Sequence, residues 1–357
     1  MGAFRDVSDF AMKMKMRQLI FRTSACLLAI LVAVAGPAQS EASGAKPLLL
    51  TYEQILVLRQ QPVKWASLER RCEREMPVVA SPVVDYAPQA HYTATGTNTP
   101  DPASQALVNN SWIAYRAALC FLLTDDSRYA RHAQAIIDAW SKTLRKVSEG
   151  QGAADFNFDM PQFIIAASWV EAANGWDQSA FKTMLKQIVE PLSHAGKPNN
   201  HGDWGVLLDA ATAAYLGDDR MLRAAQSRWQ ELLQAQVAAD GSMPLEICRS
   251  NTNDLCGGAD KGINGLSYTH FALLPATLAA QLFYSQGMDV YHGAGGDKLR
   301  DAYGRAAVWT CIRKHFPIFP ATTGSSMACA MRLTLRCCRI ITAMGMRRQC
   351  WRRNIWA

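Results

Sequence analysis

Helical periodicity runs through most of this chain and constrains its fold more than any other feature. From residue 106 to residue 307, apolar side chains recur at spacings of three and four, and strand-like alternation is nearly absent. The two clearest stripes consist of Tyr129, Ala133, Ile136, Ile137, Trp140 and Leu144, and of Met221, Ala225, Trp229, Leu232 and Leu233. Stripes of this kind usually face a packed core. The pattern predicts an all-α protein built from amphipathic helices.

Two polar segments indicate how the helices are connected. Thr124-Asp125-Asp126 and Gly217-Asp218-Asp219 lie between apolar stripes and start 93 residues apart, and such residues end one helix and cap the next. This spacing fits two copies of a helical-hairpin repeat of about 45 residues. Antiparallel hairpins of that size build either a solenoid or an α/α toroid.

The charge distribution argues against a nucleic-acid-binding protein. The 357 residues carry a net charge of +7 and are 49% apolar, which is enough for a large core. Ten of the 37 basic residues follow Asp301, where there is no acidic residue, so the rest of the chain has 27 basic and 30 acidic residues. A nucleic-acid surface needs its basic residues within the folded body, and we expect no nucleic-acid partner.

The N-terminal residues have the features of an export signal. Basic residues precede an apolar run at residues 25–35, and Ala38-Gln39-Ser40 offers a cleavage site. The run is too short for a comfortable membrane span, so we predict a cleaved signal peptide at residues 1–40 rather than a stable membrane anchor. The mature protein would begin near Glu41 and be periplasmic or secreted.

The cysteines offer candidate disulfides rather than a metal site. Export to an oxidising compartment permits disulfides, and the candidate pairs are Cys248 with Cys256 and Cys72 with Cys120, neither of which the sequence can settle. None of the ten cysteines stands in a Cys-x-x-Cys motif. A structural zinc site is therefore not expected, and the sequence calls for no other metal and no cofactor.

Residues 321–357 differ in composition from the chain before them. From Ser325 onward there are four cysteines and seven arginines, with no acidic residue and no helical stripe. Unpaired cysteines are a hazard in an exported protein. We interpret the segment as an atypical basic tail in which a shifted reading frame replaces the native C-terminal helices; a natural basic tail is the alternative.

The most informative motif is Asn-Asn-His-Gly-Asp-Trp at residues 199–204. Lys197-Pro198 before it cannot continue the preceding helix, and an apolar run at residues 206–216 follows it. Its side chains therefore stand at the start of a helix, where free backbone N–H groups favour an anion. A carboxylated substrate would be held at such a place. An Asn-rich helix cap with a packed tryptophan is the alternative.

This motif resembles the signature of the alginate lyase family, the helical-toroid lyases that cut polyuronates by β-elimination. Three further segments are similar to the family in the same order: residues 122–140, with Leu-Leu-Thr-Asp-Asp, Tyr-Ala and Ala-Trp; Asp-Gly-Ser-Met-Pro-Leu-Glu at 240–246 with Arg249; and Leu-Ser-Tyr-Thr-His-Phe-Ala-Leu at 266–273. The resemblance implies a catalytic domain over residues 48–320, folded as an incomplete or closed α/α toroid with a substrate groove.

The resemblance also implies the residues of the site. Asn200 and His201 would hold the substrate carboxylate, with Arg249 completing the clamp. Tyr268 would remove the C5 proton and return a proton to O4. His201 is the alternative base, because its ordinary pKa suits the task. The expected substrate-binding residues around them are Trp204, Asn199, His270 and Glu246. Glu246 is further expected to orient Arg249.

Two other functions remain open from the sequence. A helical toroid also hosts glycoside hydrolases, for which Glu246 and Asp203 would supply the acid and the base, and a glycan-binding protein without activity is the second alternative. The main expectation is a monomeric lyase that acts on alginate or another anionic polyuronate. The irregular residues 77–104 are either a linker or a lid over the groove, and the polar residues 249–265 are expected to shape its subsites.

Overall fold

The computed structural model describes residues 46–311 and residue 316. The predicted signal peptide at residues 1–40 and the predicted atypical tail at residues 321–357 lie outside the described residues. The described residues contain the helical motifs singled out in the sequence.

The described part is helical, as the periodicity predicts. Its α-helices are α1 (Tyr52–Arg59), α2 (Pro62–Glu75), α3 (Pro102–Thr124), α4 (Ser127–Thr143), α5 (Gln151–Val170), α6 (Ser179–Met184), α7 (Asn200–Leu216), α8 (Asp219–Gln236), α9 (Pro244–Ile247), α10 (Gly265–Ser285) and α11 (Ala294–Cys311). Short turns of other helix types cover Ala173–Gly175, Leu185–Val189 and Glu190–Leu192. Two strands, β1 (Asp85–Tyr86) and β2 (Lys146–Val147), pair in parallel, with Asp85 opposite Lys146 and Tyr86 opposite Val147.

The helices form two layers. In the inner layer, α3 packs on α5, α5 on α7 and α7 on α10. Nearly every side chain of α5 is buried, as is usual for a helix enclosed on all sides. In the outer layer, α4 packs on α3 and α5, α8 packs on α7, and α11 packs on α8 and α10. The outer helices α4 and α8 bury one stripe and expose the other face. This layering is that of an α/α toroid and confirms the predicted fold class.

The polar segments between the hairpin helices have the predicted roles. Asp125 ends α3 in the left-handed conformation with φ of 63°, and Gly217 ends α7 with φ of 74°. The side chain of Asp126 caps α4, and that of Asp218 caps α8, each by accepting a hydrogen bond from a backbone N–H of the first turn. Each predicted turn therefore ends one inner helix and begins one outer helix.

The 23-residue helix α3 is long and apolar enough to cross a membrane by length and composition. In this fold it packs between other helices, and its Asn110 side chain is buried at 3% exposure. The amide oxygen of Asn110 accepts hydrogen bonds from the indole N–H of Trp140 at 2.9 Å and from the backbone of Ser81 at 3.0 Å. These contacts are those of a core helix.

Both candidate disulfides are present. Cys72 on α2 is bonded to Cys120 on α3, which fastens the N-terminal helices to the inner layer. Cys248 is bonded to Cys256 and closes a short loop directly after α9. Arg249, the predicted arginine of the site, lies within the loop that the second disulfide closes.

Candidate active site

The site begins at the first turn of α7. Asn199 is the N-cap of this helix, and its side-chain oxygen accepts a hydrogen bond from the backbone N–H of His201 at 3.2 Å. An Asn at this position satisfies a donor that the helix itself leaves free. Asn199 thus acts here as a cap, while the partly buried ring of His201 belongs to the first turn of the helix.

Two glycines of α7 let the preceding turn approach it closely. A Cβ atom on Gly202 would lie 2.1 Å from the carbonyl oxygen of Lys197, and one on Gly205 would lie 2.1 Å from the backbone nitrogen of Ala195. Only residues without a side chain fit there. As a result His194 lies beside His201, with 5.5 Å between the ring centroids.

Asn200 is bound to Glu246 rather than exposed in the groove. The backbone N–H of Asn200 donates to one carboxylate oxygen of Glu246 at 2.7 Å, and its side-chain amide donates to the other at 2.9 Å. Both side chains are buried, at 0% and 1% exposure. Burial raises the pKa of Glu246 to about 7, opposed by these hydrogen bonds and by the charge of Arg249. The expectation that Glu246 orients Arg249 stays a prediction: the carboxylate of Glu246 is engaged by Asn200, and the backbone N–H of Arg249 donates to the Glu246 carbonyl at 3.1 Å.

The carboxylates that a hydrolase would need are both enclosed. Asp203 is 2% exposed, and burial together with the charge of Glu246 raises the pKa of Asp203 well above its usual range. The acid and base of a glycoside hydrolase must face the scissile bond from two sides. Asp203 and Glu246 do not do so in this structure, and the hydrolase alternative is not favoured.

Arg249 and Tyr268 meet although 19 positions separate them in the sequence. The guanidinium carbon of Arg249 lies 4.3 Å from the ring centroid of Tyr268, within the range of a cation–π contact. Arg249 is 2% exposed, and within residues 46–311 no carboxylate forms a salt bridge with its guanidinium. A buried arginine without an anionic partner is suited to receive one from a substrate.

Part of the irregular stretch at residues 77–104 reaches this pair. The hydroxyl of Tyr92 lies 2.5 Å from that of Tyr268, and the carbonyl of Thr93 accepts a hydrogen bond from the backbone of Asn253 at 2.9 Å. Burial, reinforced by Tyr268, raises the pKa of Tyr92. The stretch therefore contacts the site, and Tyr92 is added to the candidate site residues.

His201 is a neutral group in this site. Burial is the main cause that lowers its pKa to about 4, and the nearby His194, Arg249 and Lys197 lower it further. At neutral pH His201 therefore offers an uncharged imidazole, which can donate one hydrogen bond and accept another, and the permanent positive charge comes from Arg249.

Aromatic rings form the apolar floor of the site. The ring centroid of Phe158 on α5 lies 5.4 Å from that of His201, 5.6 Å from Trp204 and 5.3 Å from Phe271. Trp204 is 3% exposed and packs within this cluster, so it presents no stacking face to a sugar here, in agreement with the packed-tryptophan alternative. Phe158 was not predicted, because a fully buried helix gives no pattern that singles out one of its rings.

His270 on α10 contacts α11. It is 2% exposed, and its Nε2 atom is 2.8 Å from the hydroxyl of Thr310 on α11. Burial lowers the pKa of His270 to about 4. Across the described residues, no group of three or more His, Cys, Asp or Glu side chains is arranged to hold a metal ion.

Solved structures with a similar fold include alginate lyases. An alginate lyase from Bacteroides ovatus superposes with a TM-score of 0.64 at 15% identity, covering 84% of this chain and 93% of that one. Alginate lyase A1-III from Sphingomonas species A1 superposes with a TM-score of 0.59 at 17% identity, covering 81% and 86%. A Tyr-to-Phe variant of A1-III has been solved complexed with tetrasaccharide. At such identities these likenesses establish the fold.

Sequence comparison establishes the family. A polysaccharide lyase from Stenotrophomonas maltophilia (strain K279a) is 32% identical over 93 residues, which is 26% of this chain and only about a quarter (24%) of that relative's length. The alginate lyase family profile matches residues 53–315, most of the chain and nearly all of its described part. The protein belongs to the alginate lyase family.

Proposed function

We propose that the protein is a polysaccharide lyase that cleaves alginate or a related polyuronate by β-elimination. The reaction removes the C5 proton, breaks the C4–O bond and leaves an unsaturated uronate end. The observation that carries the proposal is the buried guanidinium of Arg249, which lies against the ring of Tyr268 and has no salt bridge within the described residues. In a polyuronate substrate, the anion that would pair with the Arg249 guanidinium is the uronate carboxylate.

The central difficulty of the reaction is the acidity of the C5 proton. An ionised carboxylate resists the second negative charge that develops when the proton leaves, so the enzyme must neutralise it. Arg249 supplies the positive charge, and His201 supplies a neutral hydrogen-bond donor nearby. Asn200 keeps a second amide hydrogen beyond the one donated to Glu246. Donors aimed at developing charge are each worth about 3 kcal/mol in comparable enzymes.

Tyr268 is the proposed base and acid. On mannuronate, H5 and O4 lie on the same face of the sugar, so one hydroxyl can take the first proton and return it to the leaving oxygen. The tyrosinate form is the one that accepts the first proton, and the guanidinium of Arg249 lies 4.3 Å from the ring centroid. The Tyr92 hydroxyl is placed to donate a hydrogen bond to it. His201 is the alternative base, since it is unprotonated at neutral pH.

The reaction class is tested by incubating the protein with polymannuronate, polyguluronate and mixed alginate and following the near-ultraviolet absorbance of the unsaturated product. We expect absorbance to rise without added metal or cofactor. New reducing ends without absorbance would mean hydrolysis, and saturable binding without cleavage would mean a glycan-binding protein. Either outcome would overturn the proposal.

We further propose that the protein is exported and acts as a monomer in the periplasm or outside the cell. The signal-like residues 1–40 support export, and so do the disulfides Cys72–Cys120 and Cys248–Cys256, which persist in oxidising compartments. N-terminal sequencing of exported protein should find a start near Glu41. An intact apolar segment at residues 25–35 in the membrane fraction would contradict it.

A further inference from the structure

Arg249 is buried at the site, and among the described residues no side chain forms a hydrogen bond or salt bridge that would fix the direction of its guanidinium. A buried arginine is normally oriented by paired hydrogen bonds to a carboxylate. The acidic residue nearest to it in sequence, Glu246, has both oxygens engaged by Asn200. Among the described residues the guanidinium contacts the face of Tyr268, a contact that does not by itself fix the direction of its N–H groups. The position of Arg249 must therefore come from the backbone that carries it.

That backbone is unusually well fixed for an irregular segment. We call residues 248–264 the Arg249 loop. Three carbonyls at its start accept hydrogen bonds from the end of the loop: Cys248 O from Gly262 N at 2.9 Å, Arg249 O from Asn264 N at 3.0 Å, and Ser250 O from Asn264 Nδ2 at 2.9 Å. A fourth hydrogen bond, from Ser250 N to Leu255 O at 2.8 Å, closes the first half of the loop. The disulfide joins Cys248, the residue directly before Arg249, to Cys256, which directly follows Leu255.

The Arg249 loop also connects the other groups of the site. It leads from Arg249 at one end to the first turn of α10, which carries Tyr268, at the other. At its tip the backbone N–H of Asn253 donates to Thr93, the neighbour of Tyr92. Loosening the loop would therefore disturb Arg249 most directly and the hydroxyl pair of Tyr92 and Tyr268 less.

We infer that the disulfide-closed Arg249 loop is a positioning element, which holds the Arg249 guanidinium ready for the substrate carboxylate in place of a carboxylate partner within the protein. The inference rests on the proposed lyase function. Its physical basis is that a cross-link reduces the conformations that the loop can adopt, so the cost of ordering Arg249 is met on folding and not on binding. A displacement of about 1 Å at such a group can reduce turnover about a hundredfold.

The test compares the two disulfides of the same full-length protein. Replacing both cysteines of the loop (Cys248→Ser with Cys256→Ser) should lower kcat/KM on polymannuronate about tenfold to a hundredfold, with a rise in KM. Replacing the pair that is far from Arg249 in the sequence (Cys72→Ser with Cys120→Ser) should lower the melting temperature more, because it closes the longer loop, and leave kcat/KM within about twofold. Wild-type kcat/KM in the first variant would overturn the inference.

A second comparison separates positioning from a general loss of structure. If the disulfide acts mainly through Arg249, removing it in an Arg249→Ala protein should cause a much smaller further loss of kcat/KM than in the wild type, because interacting sites are not additive. An equal loss in both backgrounds would overturn the inference. If the wild type forms no unsaturated product, the lyase proposal fails, and hydrogen exchange decides the inference alone: the amides of Ser250 and Asn264 should exchange faster without the disulfide, and unchanged exchange would refute it.

Discussion

The two sides of the active site are held by different means. On one side Asn199, Asn200 and His201 form the first turn of α7, where a cap and two bonds to Glu246 fix the chain locally. On the other side Arg249 and Tyr268 come from either end of an irregular loop and meet through a cation–π contact. We call these the helix side and the loop side.

The comparison shows how stability and reactivity are divided. The helix side is fully buried at Asn200 and Glu246 and has each carboxylate oxygen bonded, so damage to it should unfold as well as inactivate the protein. The loop side keeps its guanidinium free of salt bridges to described residues and its tyrosine partly exposed. Changes there should remove activity and leave the fold intact. Four experiments test this division.

The largest effect is expected from Tyr268→Phe on the loop side. The substitution removes only the hydroxyl that would transfer the proton, so turnover should fall by about 10²- to 10⁴-fold, measured by the absorbance of unsaturated product. The melting temperature should stay near that of the wild type, because the ring and its contact with Arg249 remain. Near-normal turnover would exclude Tyr268 as the base and make His201 the next candidate.

Asn200→Ala on the helix side should reduce stability as well as activity. It leaves one oxygen of the buried Glu246 without its partner, which should lower the free energy of unfolding by about 1–3 kcal/mol, measured by denaturant titration. The pKa of Glu246 is raised to about 7 from 4.5, so its ionised form is already disfavoured, and the loss should be larger above about pH 7 than below it. Tyr268→Phe is the matched control. Full stability of Asn200→Ala would break the comparison.

The titration of His201 tests the electrostatics between the two sides. With its pKa lowered to about 4 from 6.5, the ring should stay neutral through mildly acidic pH, and its NMR signals should shift with a midpoint near 4. The folded pKa lies below the unfolded one, so this group's contribution to stability is present above pH 6.5 and lost as the pH falls towards 4. A midpoint between 6 and 7 would mean that the ring is solvated.

The smallest effect is expected from Tyr92→Phe in the irregular stretch at residues 77–104. The variant loses the hydrogen bond to Tyr268 but keeps the ring, so kcat should fall by about tenfold or less, the value of one hydrogen bond near 1 kcal/mol. Stability should change little. A loss as large as that of Tyr268→Phe, in the same product assay, would show that Tyr92 itself transfers the proton.

The sequence alone determined the features that depend on residues close together in the chain. Helical spacing identified the core stripes, and the turns at Asp125 and Gly217 were predicted because a left-handed residue followed by a capping Asp is encoded within a few positions. The N-terminal position of the 199–204 motif on α7 followed from Pro198 and Asn199 in the same way. The resemblance to the alginate lyases rested on motifs of this local kind.

Only the tertiary structure decided which of these residues meet. Glu246 on α9 forms hydrogen bonds with Asn200 on α7, and Arg249 contacts the ring of Tyr268 on α10. The fold enclosed Trp204 with Phe158 and turned His270 towards α11. It also brought Tyr92 from a distant irregular stretch to within hydrogen-bond distance of Tyr268. Such choices depend on the relative placement of segments far apart in the chain, since the spacing of residues fixes the face of a helix on which a side chain lies but not the element that packs against it.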